Sequence, residues 1–162
     1  MFKLFSYVSR NEMKHTSRGI FKYKDRKPIS MVKGGHGEDN IRYLEKNKLE
    51  FKIDGLCKGK ARNGHIPCHK RPRERKEEGH MWFPKLWSNR KIEKAGLYVA
   101  NLEKNQDVPD HTPMHGTYRG VDVVTYKERG RICGICPKFH KSLEEEEEIA
   151  KAKADIQVKL HL

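Results

Sequence analysis

Four cysteines are the residues of this chain whose type and spacing could hold a metal ion. Cys133 and Cys136 form a CxxC pair, the spacing that lets two thiolates reach one tetrahedral zinc ion. Cys57 and Cys68 could supply the other two ligands, and three histidines could substitute for them: His65, His69 and His140. The gap between Cys57 and Cys68 is unusual, so a redox dithiol and reduced structural cysteines stay open as alternatives. One zinc ion would stabilise a domain with little apolar core.

A Gly-punctuated basic run is the second candidate site. Gly55, Gly59 and Gly64 would let the backbone approach phosphates closely. If about half of the cations touch phosphates, the salt slope of binding is on the order of −3 to −4. The residues predicted to bind RNA here are Lys58, Lys60, Arg62, Lys70, Arg71, Arg73, Arg75 and Lys76.

Both tryptophans of the chain, Trp82 and Trp87, lie in the stretch GHMWFPKLWSNR. Pro84 lacks a backbone N–H and disfavours a helical residue before it, so an extended conformation is predicted. Each indole could stack on an unpaired base, for roughly 1–3 kcal/mol, or could pack on strands as part of a small core. The neighbouring cations Lys85 and Arg90 are counted among the predicted RNA contacts.

The charge of the chain points to a polyanionic partner. The 162 residues are 35% apolar and carry a formal net charge of +13. Residues 1–90 hold 23 Lys and Arg against 10 Asp and Glu, whereas residues 91–162 hold 12 of each. A polyanionic partner would bind this chain more tightly because its excess positive charge is concentrated in residues 1–90. A solubilising surface and an anionic membrane are the alternatives, and no apolar run is long enough to span a bilayer.

The pattern of the chain predicts an α+β fold with a small twisted antiparallel sheet, a basic hairpin or loop and a C-terminal helix. Residues 1–52 read as a basic N-terminal arm with one short helix over 38–51. Residues 53–141 read as a small RNA-binding β domain with strands at 95–103 and 120–128. Residues 142–162 read as an acidic helix that Ser142 caps.

Familiar enzyme motifs such as GxxxxGK[ST], GxSxG and HExxH do not occur in the sequence. The nine histidines and the CxxC pair could build a small metal-dependent nuclease, with His111 or His115 near Asp110 as general base. Histidines scattered through a basic, loop-rich chain are more typical of polar surface or RNA contacts. A non-catalytic protein is therefore predicted, with the nuclease as an alternative.

The residues from Gly55 to Lys60, then Gly64, the basic run and Trp82–Lys85 resemble the bacterial-type ribosomal protein L twenty-eight family, particularly its mitochondrial members. The resemblance covers residues 53–103. It implies a structural constituent of the large subunit that binds ribosomal RNA and neighbouring ribosomal proteins, with no membrane and no small-molecule substrate. Some members carry a zinc site, and Cys133 and Cys136 occupy a similar place.

Two further expectations follow. The opening 21 residues have the basic, hydroxyl-bearing character of an organellar transit segment, or of an ordinary basic arm, and the predicted location is the mitochondrion. If the ribosomal interpretation fails, the alternatives are a zinc-binding, RNA-binding protein of another ribonucleoprotein assembly, or the small nuclease.

Overall fold

A computed structural model describes residues 5–71 and 79–161 of the chain. Helix α1 (Arg10–Ser17) begins after Ser9, whose side chain accepts the backbone N–H of Glu12 at 3.2 Å. A hairpin of β1 (Ile20–Lys24) and β2 (Lys27–Lys33) follows. Helix α2 (Glu38–Lys46) then buries Ile41 and Leu44 at helical spacing.

The second sheet has the order β3-β4-β5. Strand β3 (Lys52–Leu56) leads through a short 3-10 turn, Lys58–Lys60, into β4 (Arg62–His65). Strand β5 (His80–Trp82) pairs antiparallel with β4, so that Arg62 lies opposite Trp82. Strands β4 and β5, which precede and follow residues 72–78 in the sequence, therefore belong to the same sheet.

Helix α3 (Asn89–Ala100) and the third sheet form the larger half of the core. The sheet has the order β6-β7-β8, with β6 at Met114–Tyr118, β7 at Val121–Glu128 and β8 at Arg131–Pro137. Gly96 of α3 lies so close to Ile135 of β8 that a Cβ added there would collide with the Ile135 side chain. Helix α3 therefore covers the sheet face that carries Ile135.

Two apolar clusters stabilise these elements. The first joins α3 and the third sheet to Phe5, Val8, Phe83 and Trp87. The second joins the first hairpin and α2 to Ile66 and Trp82. Phe83 and Trp82 are adjacent in sequence but enter different clusters, because successive side chains of an extended segment point to opposite sides.

Helix α4 (Leu143–His161) extends from the rest of the protein. Ser142 caps it by accepting the N–H of Glu145 at 3.3 Å. Residues 143–160 are all exposed. No helix among the described residues is long and apolar enough to cross a membrane.

The expected α+β class is confirmed, as are the antiparallel pairing and the C-terminal helix. The helix expected over 38–51 is present as α2, and the strand expected at 120–128 is present as β7. The strand expected at 95–103 is wrong, because residues 95–100 belong to α3. Residues 5–52 also differ from an arm, because they form two helices and a hairpin, and Phe5 and Val8 enter the first apolar cluster.

Candidate functional site

Three histidines lie together in the fold although they are far apart in sequence. The rings of His36 and His80 are stacked with their centroids 4.7 Å apart and their planes 7° apart. The ring of His69 lies 5.7 Å from that of His80 at an angle of 48°. His69 and His80 are buried, and His36 is partly exposed. We call these three residues the histidine cluster.

Each member of the cluster is held by a different segment. His36 follows the double glycine that ends the first hairpin, immediately before α2. His69 lies in the turn after β4 and is held to β2, because Met31 donates its N–H to the Cys68 carbonyl at 3.1 Å and accepts that of Lys70 at 2.8 Å. His80 is the first residue of β5. Pairing between strands therefore assembles the cluster.

Hydrogen bonds to backbone groups orient the three rings. His36 Nδ1 donates to the carbonyl of Met81 at 2.7 Å, and His80 Nε2 donates to that of Gly35 at 2.6 Å, since a carbonyl can only accept. The backbone N–H of Arg71 donates to His69 Nδ1 at 3.1 Å. In their neutral forms His36 therefore carries its lone pair on Nε2, whereas His69 carries its proton on Nε2.

Buried hydrogen bonds of Trp82 and Asn40 hold the side of the cluster that His80 forms. Trp82 packs its edge against His80, with centroids 4.9 Å apart, and donates its indole N–H to Asn40 Oδ1 at 2.9 Å. Asn40 donates to the carbonyl of Arg18 at 2.8 Å. The Gly35 backbone has φ +74°, and a Cβ there would collide with the Asn40 amide. This position therefore requires glycine for two reasons, the left-handed backbone and the close approach.

Two cavities border the cluster, and both are lined by His36, Tyr126 and Cys136. The larger, of about 490 Å³, adds the cations Lys33 and Arg71 and opens along α1 and β8. The smaller, of about 190 Å³, is also lined by His80. Burial raises the pKa of the Tyr126 hydroxyl, and Arg71 opposes that shift. The partly exposed ring of His36 thus lies where two cavities meet, one lined by Lys33, Arg71 and the acid Glu12 and the other by Lys138.

Paired imidazoles of this kind can perform general acid–base chemistry. One neutral ring accepts a proton while another, protonated, ring donates one. Cations in the adjoining cavity would favour an anionic substrate such as a phosphodiester. The arrangement is suited to phosphoryl transfer in which the protein moves protons.

The cations predicted from the sequence to bind RNA are distributed over different parts of the structure. Lys58, Lys60, Lys70, Arg71, Lys85 and Arg90 are exposed. Arg62 is buried, donates to the Phe83 carbonyl at 2.7 Å and pairs with Glu38 at 2.9 Å, so it stabilises the junction between the second sheet and α2. The predicted contacts Arg73, Arg75 and Lys76 lie outside the described residues.

The two tryptophans lie in the core. Trp82 has no exposed surface and Trp87 is 8% exposed. Trp87 stacks on Phe83 with centroids 5.4 Å apart, and Trp82 is fixed by Asn40. Of the two roles that the sequence left open, core packing describes both indoles, and base stacking would need surface that neither presents.

The four cysteines lie at three places: Cys57 follows β3, Cys68 follows β4, and Cys133 and Cys136 lie together on β8. Cys57 is buried in the first apolar cluster and donates to the His140 carbonyl at 3.4 Å, while Cys68 packs against the second cluster. Burial raises the pKa of Cys57 to about 11 and also raises that of Cys133. Among the described residues, no group of three or more His, Cys, Asp or Glu side chains is placed to hold a metal. Zinc binding by these cysteines stays a prediction.

Of the two histidines that the sequence suggested for a nuclease, His111 lines the larger cavity beside the histidine cluster, whereas His115 lines neither cavity. His111 is exposed in the loop before β6, with Nε2 3.7 Å from a Glu128 carboxylate oxygen, and His115 is exposed on β6. No motif in the sequence marks His36 or His80, and His69 was predicted only as a substitute metal ligand. A usable signal was present, because His36 and His80 each follow a glycine of positive φ, a pattern typical of a side chain held at a tight turn.

Comparison with known proteins yields one family. The family model described as bacterial EndoU nuclease matches residues 10–139. No curated protein and no solved structure matches the chain. The matched region is 130 of the 162 residues and contains the whole histidine cluster, whereas α4 lies beyond it.

This match overturns several expectations from the sequence. The resemblance to ribosomal protein L twenty-eight is wrong, and so are the non-catalytic role in the large subunit and the mitochondrial location, because the matching family is a bacterial nuclease family. The resemblance rested on glycines, basic residues and one aromatic-proline step, which a nucleic-acid-cleaving enzyme also uses. The nuclease alternative was the better interpretation. The chain belongs to the bacterial EndoU nuclease family.

Proposed function

We propose that this protein is an endonuclease that cleaves RNA by acid–base catalysis at the histidine cluster. The observation that carries the proposal is the stacked pair His36 and His80, with His69 behind it, at the junction of two cavities. The strongly positive net charge, +13, supports a polyanionic substrate.

RNA is favoured over DNA because it contains its own nucleophile. The 2′-hydroxyl next to the scissile phosphate can attack phosphorus once a base removes its proton. The 5′-oxygen of the next nucleotide then leaves as it receives a proton from an acid. The products are a 2′,3′-cyclic phosphate and a 5′-hydroxyl, and two correctly placed imidazoles suffice for both proton transfers.

His36 is assigned as the base. It is the partly exposed member of the cluster, and its hydrogen bond to the Met81 carbonyl places the proton of the neutral ring on Nδ1 and the lone pair on Nε2. The acid role belongs to the buried pair, in which His69 carries its proton on Nε2. Lys33 and Arg71, in the wall of the larger cavity, would hold phosphate groups of the bound strand.

The test uses the full chain and a labelled RNA, together with the same RNA carrying one 2′-deoxy nucleotide. We expect cleavage that leaves cyclic phosphate ends and stops at the 2′-deoxy position. His36→Ala should lower the rate by roughly 10²-fold or more. His115→Ala, at an exposed histidine that lines neither cavity of the cluster, should cleave at the parental rate.

Two results of this cleavage assay would contradict the proposal. Cleavage of the 2′-deoxy position, or full activity of His36→Ala, would show that the 2′-hydroxyl or the cluster is not used. Parallel reactions with EDTA test the metal requirement that the sequence suggested for a nuclease. A rate that falls at both low and high pH is expected, since one imidazole must be neutral and another protonated.

A further inference from the structure

An exposed aromatic and cationic surface lies on α3 and the β6–β7 turn. Lys91, Lys94 and Tyr98 follow one another at helical spacing along α3. Tyr98 is 49% exposed, and Leu86, which precedes Trp87 in the sequence, is 93% exposed. The Tyr98 ring lies 5.5 Å from that of Tyr118, the last residue of β6. We call this the α3–β6 surface.

Aromatic contacts hold these rings in place. Trp87 meets Tyr118 edge to face, with centroids 6.0 Å apart and planes at 88°. Lys91 Nζ lies 5.2 Å above the Trp87 ring, and the Arg119 guanidinium lies 5.8 Å from the centre of the Tyr118 ring. The surface therefore presents two supported tyrosines with a cation on either side.

The α3–β6 surface and the histidine cluster are on opposite faces of the third sheet. Ile135 of β8 points toward α3, where it meets Gly96. The side chain of its neighbour Cys136 points to the other face, because side chains alternate along a strand, and Cys136 lines both cavities shared with His36. A ligand on the α3–β6 surface would leave the cleavage site open.

The charge of this surface is positive. Lys94 is exposed one helical turn before Tyr98, Arg119 is exposed beside Tyr118, and Lys85 and Arg90 are exposed just before and at the start of α3. The acid within α3, Glu93, accepts the Val8 N–H at 3.2 Å and so faces the N-terminal segment. The 3-10 turn that carries Lys58 and Lys60 packs against the β6–β7 turn, where Gly59 meets the Gly120 carbonyl. Lys60, a cation predicted from the basic run, therefore adjoins the same surface, whereas Lys58 pairs with Asp122 at 3.1 Å.

We propose that the α3–β6 surface is a second RNA-binding site, which holds a single-stranded part of the substrate away from the cleaved bond. This inference rests on the proposed function for the identity of the polyanion. Bases would stack on Tyr98 and Tyr118, and phosphates would lie against Lys94 and Arg119. Alternating rings and cations suit a strand of stacked bases and phosphates better than a carboxylate-rich protein, which offers few planar groups.

The experiment compares two variants of the full chain in a cleavage-defective His36→Ala background. The site variant carries Tyr98→Ala, Lys94→Glu and Arg119→Glu. The matched control carries Tyr7→Ala, Lys22→Glu and Lys24→Glu, which change one exposed tyrosine and two exposed lysines elsewhere. Affinity for an unstructured RNA is measured by fluorescence anisotropy at several salt concentrations, and circular dichroism checks that both variants are folded.

We expect the site variant to bind the long RNA roughly tenfold or more weakly than the control, with a salt slope smaller by about 2. With His36 restored, cleavage of a dinucleotide should be unchanged, whereas KM for the long RNA should rise. Equal affinities of site variant and control would overturn the second site. If the parent cleaves no RNA but the site variant still loses affinity, the proposed function fails and the binding site stands.

Discussion

Asp122 is a residue whose ionisation contributes to the stability of the fold. Its carboxylate accepts hydrogen bonds from Thr117 at 2.6 Å, from Lys58 at 3.1 Å and from His140 at 2.9 Å. These donors come from β6, from the 3-10 turn and from the segment before α4. The bond from Thr117, together with those from Lys58 and His140, lowers the pKa of Asp122 to about 2.

Asp122→Asn should therefore destabilise the protein in a pH-dependent way. A carboxyl whose pKa is lower in the folded than in the unfolded chain stabilises the fold above the unfolded pKa of about 4. That contribution is lost as the pH falls toward 2. We expect a loss of about 2 kcal/mol in the free energy of unfolding at pH 7, and a smaller difference from the parent below pH 4.

Urea unfolding at a series of pH values measures this effect. Asp107→Asn, at an exposed carboxylate, is the matched control and should unfold like the parent. A difference between Asp122→Asn and the parent that stays constant down to pH 2 would show that the carboxylate charge is not the cause.

At the same scale, the residues of the site were the hardest part to predict. Sequence spacing cannot predict that His36, His69 and His80 lie together. Their proximity depends on the hydrogen bonds of β2 to Cys68 and Lys70 and on the pairing of β4 with β5. His111 and His115 attracted attention because Asp110 is near them in sequence. Asp110 instead accepts the Arg129 N–H at 3.0 Å.

Among the elements, α3 shows why a short apolar stretch misleads. AGLYVANLE contains Leu97, Tyr98 and Val99, which favour a strand when read alone. Reading from Ser88 reverses this interpretation, because Ser88 accepts the Lys91 N–H at 3.2 Å and caps a helix. Ile92, Ala95, Gly96 and Val99 then form one buried stripe at helical spacing.

The close approach of α3 to β8 makes Gly96 sensitive to substitution. Alanine favours a helix over glycine by about 1 kcal/mol, yet a methyl group at position 96 would collide with the Ile135 side chain. Since both residues are buried, we expect Gly96→Ala to destabilise the protein by about 1–3 kcal/mol. Thermal or urea unfolding gives the value.

A second substitution tests whether that collision is the cause. Ile135→Val removes the methyl group nearest to Gly96 and by itself should cost about 1 kcal/mol. The double variant should be more stable than the sum of the two losses predicts. Strict additivity, or a stabilised Gly96→Ala, would contradict the close packing of α3 on β8.

For the whole molecule, composition predicted a protein that acts on nucleic acid, which agrees with the nuclease family match, but it did not predict the fold of the N-terminal half. The excess positive charge of residues 1–90 predicted a basic arm and a basic loop. Those residues also supply about half of the core and all three members of the histidine cluster. Charge counts cannot distinguish a ribosomal protein from a nuclease, because both bind phosphates. The distinction required the three-dimensional grouping of the imidazoles and the family match.

Helix α4 is the part of the molecule that the proposed cleavage should not need. It lies beyond the family match, residues 143–160 are exposed, and its packing is limited to the neighbourhood of β3. A chain that ends at Ser142 should therefore have a free energy of unfolding within about 1 kcal/mol of that of the parent and should cleave a dinucleotide at the parental rate.

Removal of α4 also changes the charge of the protein. Because α4 and the last residue hold six acids and three lysines, the net charge would rise from +13 to +16. Affinity for long RNA should therefore increase at low salt. A large loss of stability or of dinucleotide cleavage on truncation, measured by urea unfolding and the cleavage assay, would place α4 in the catalytic fold.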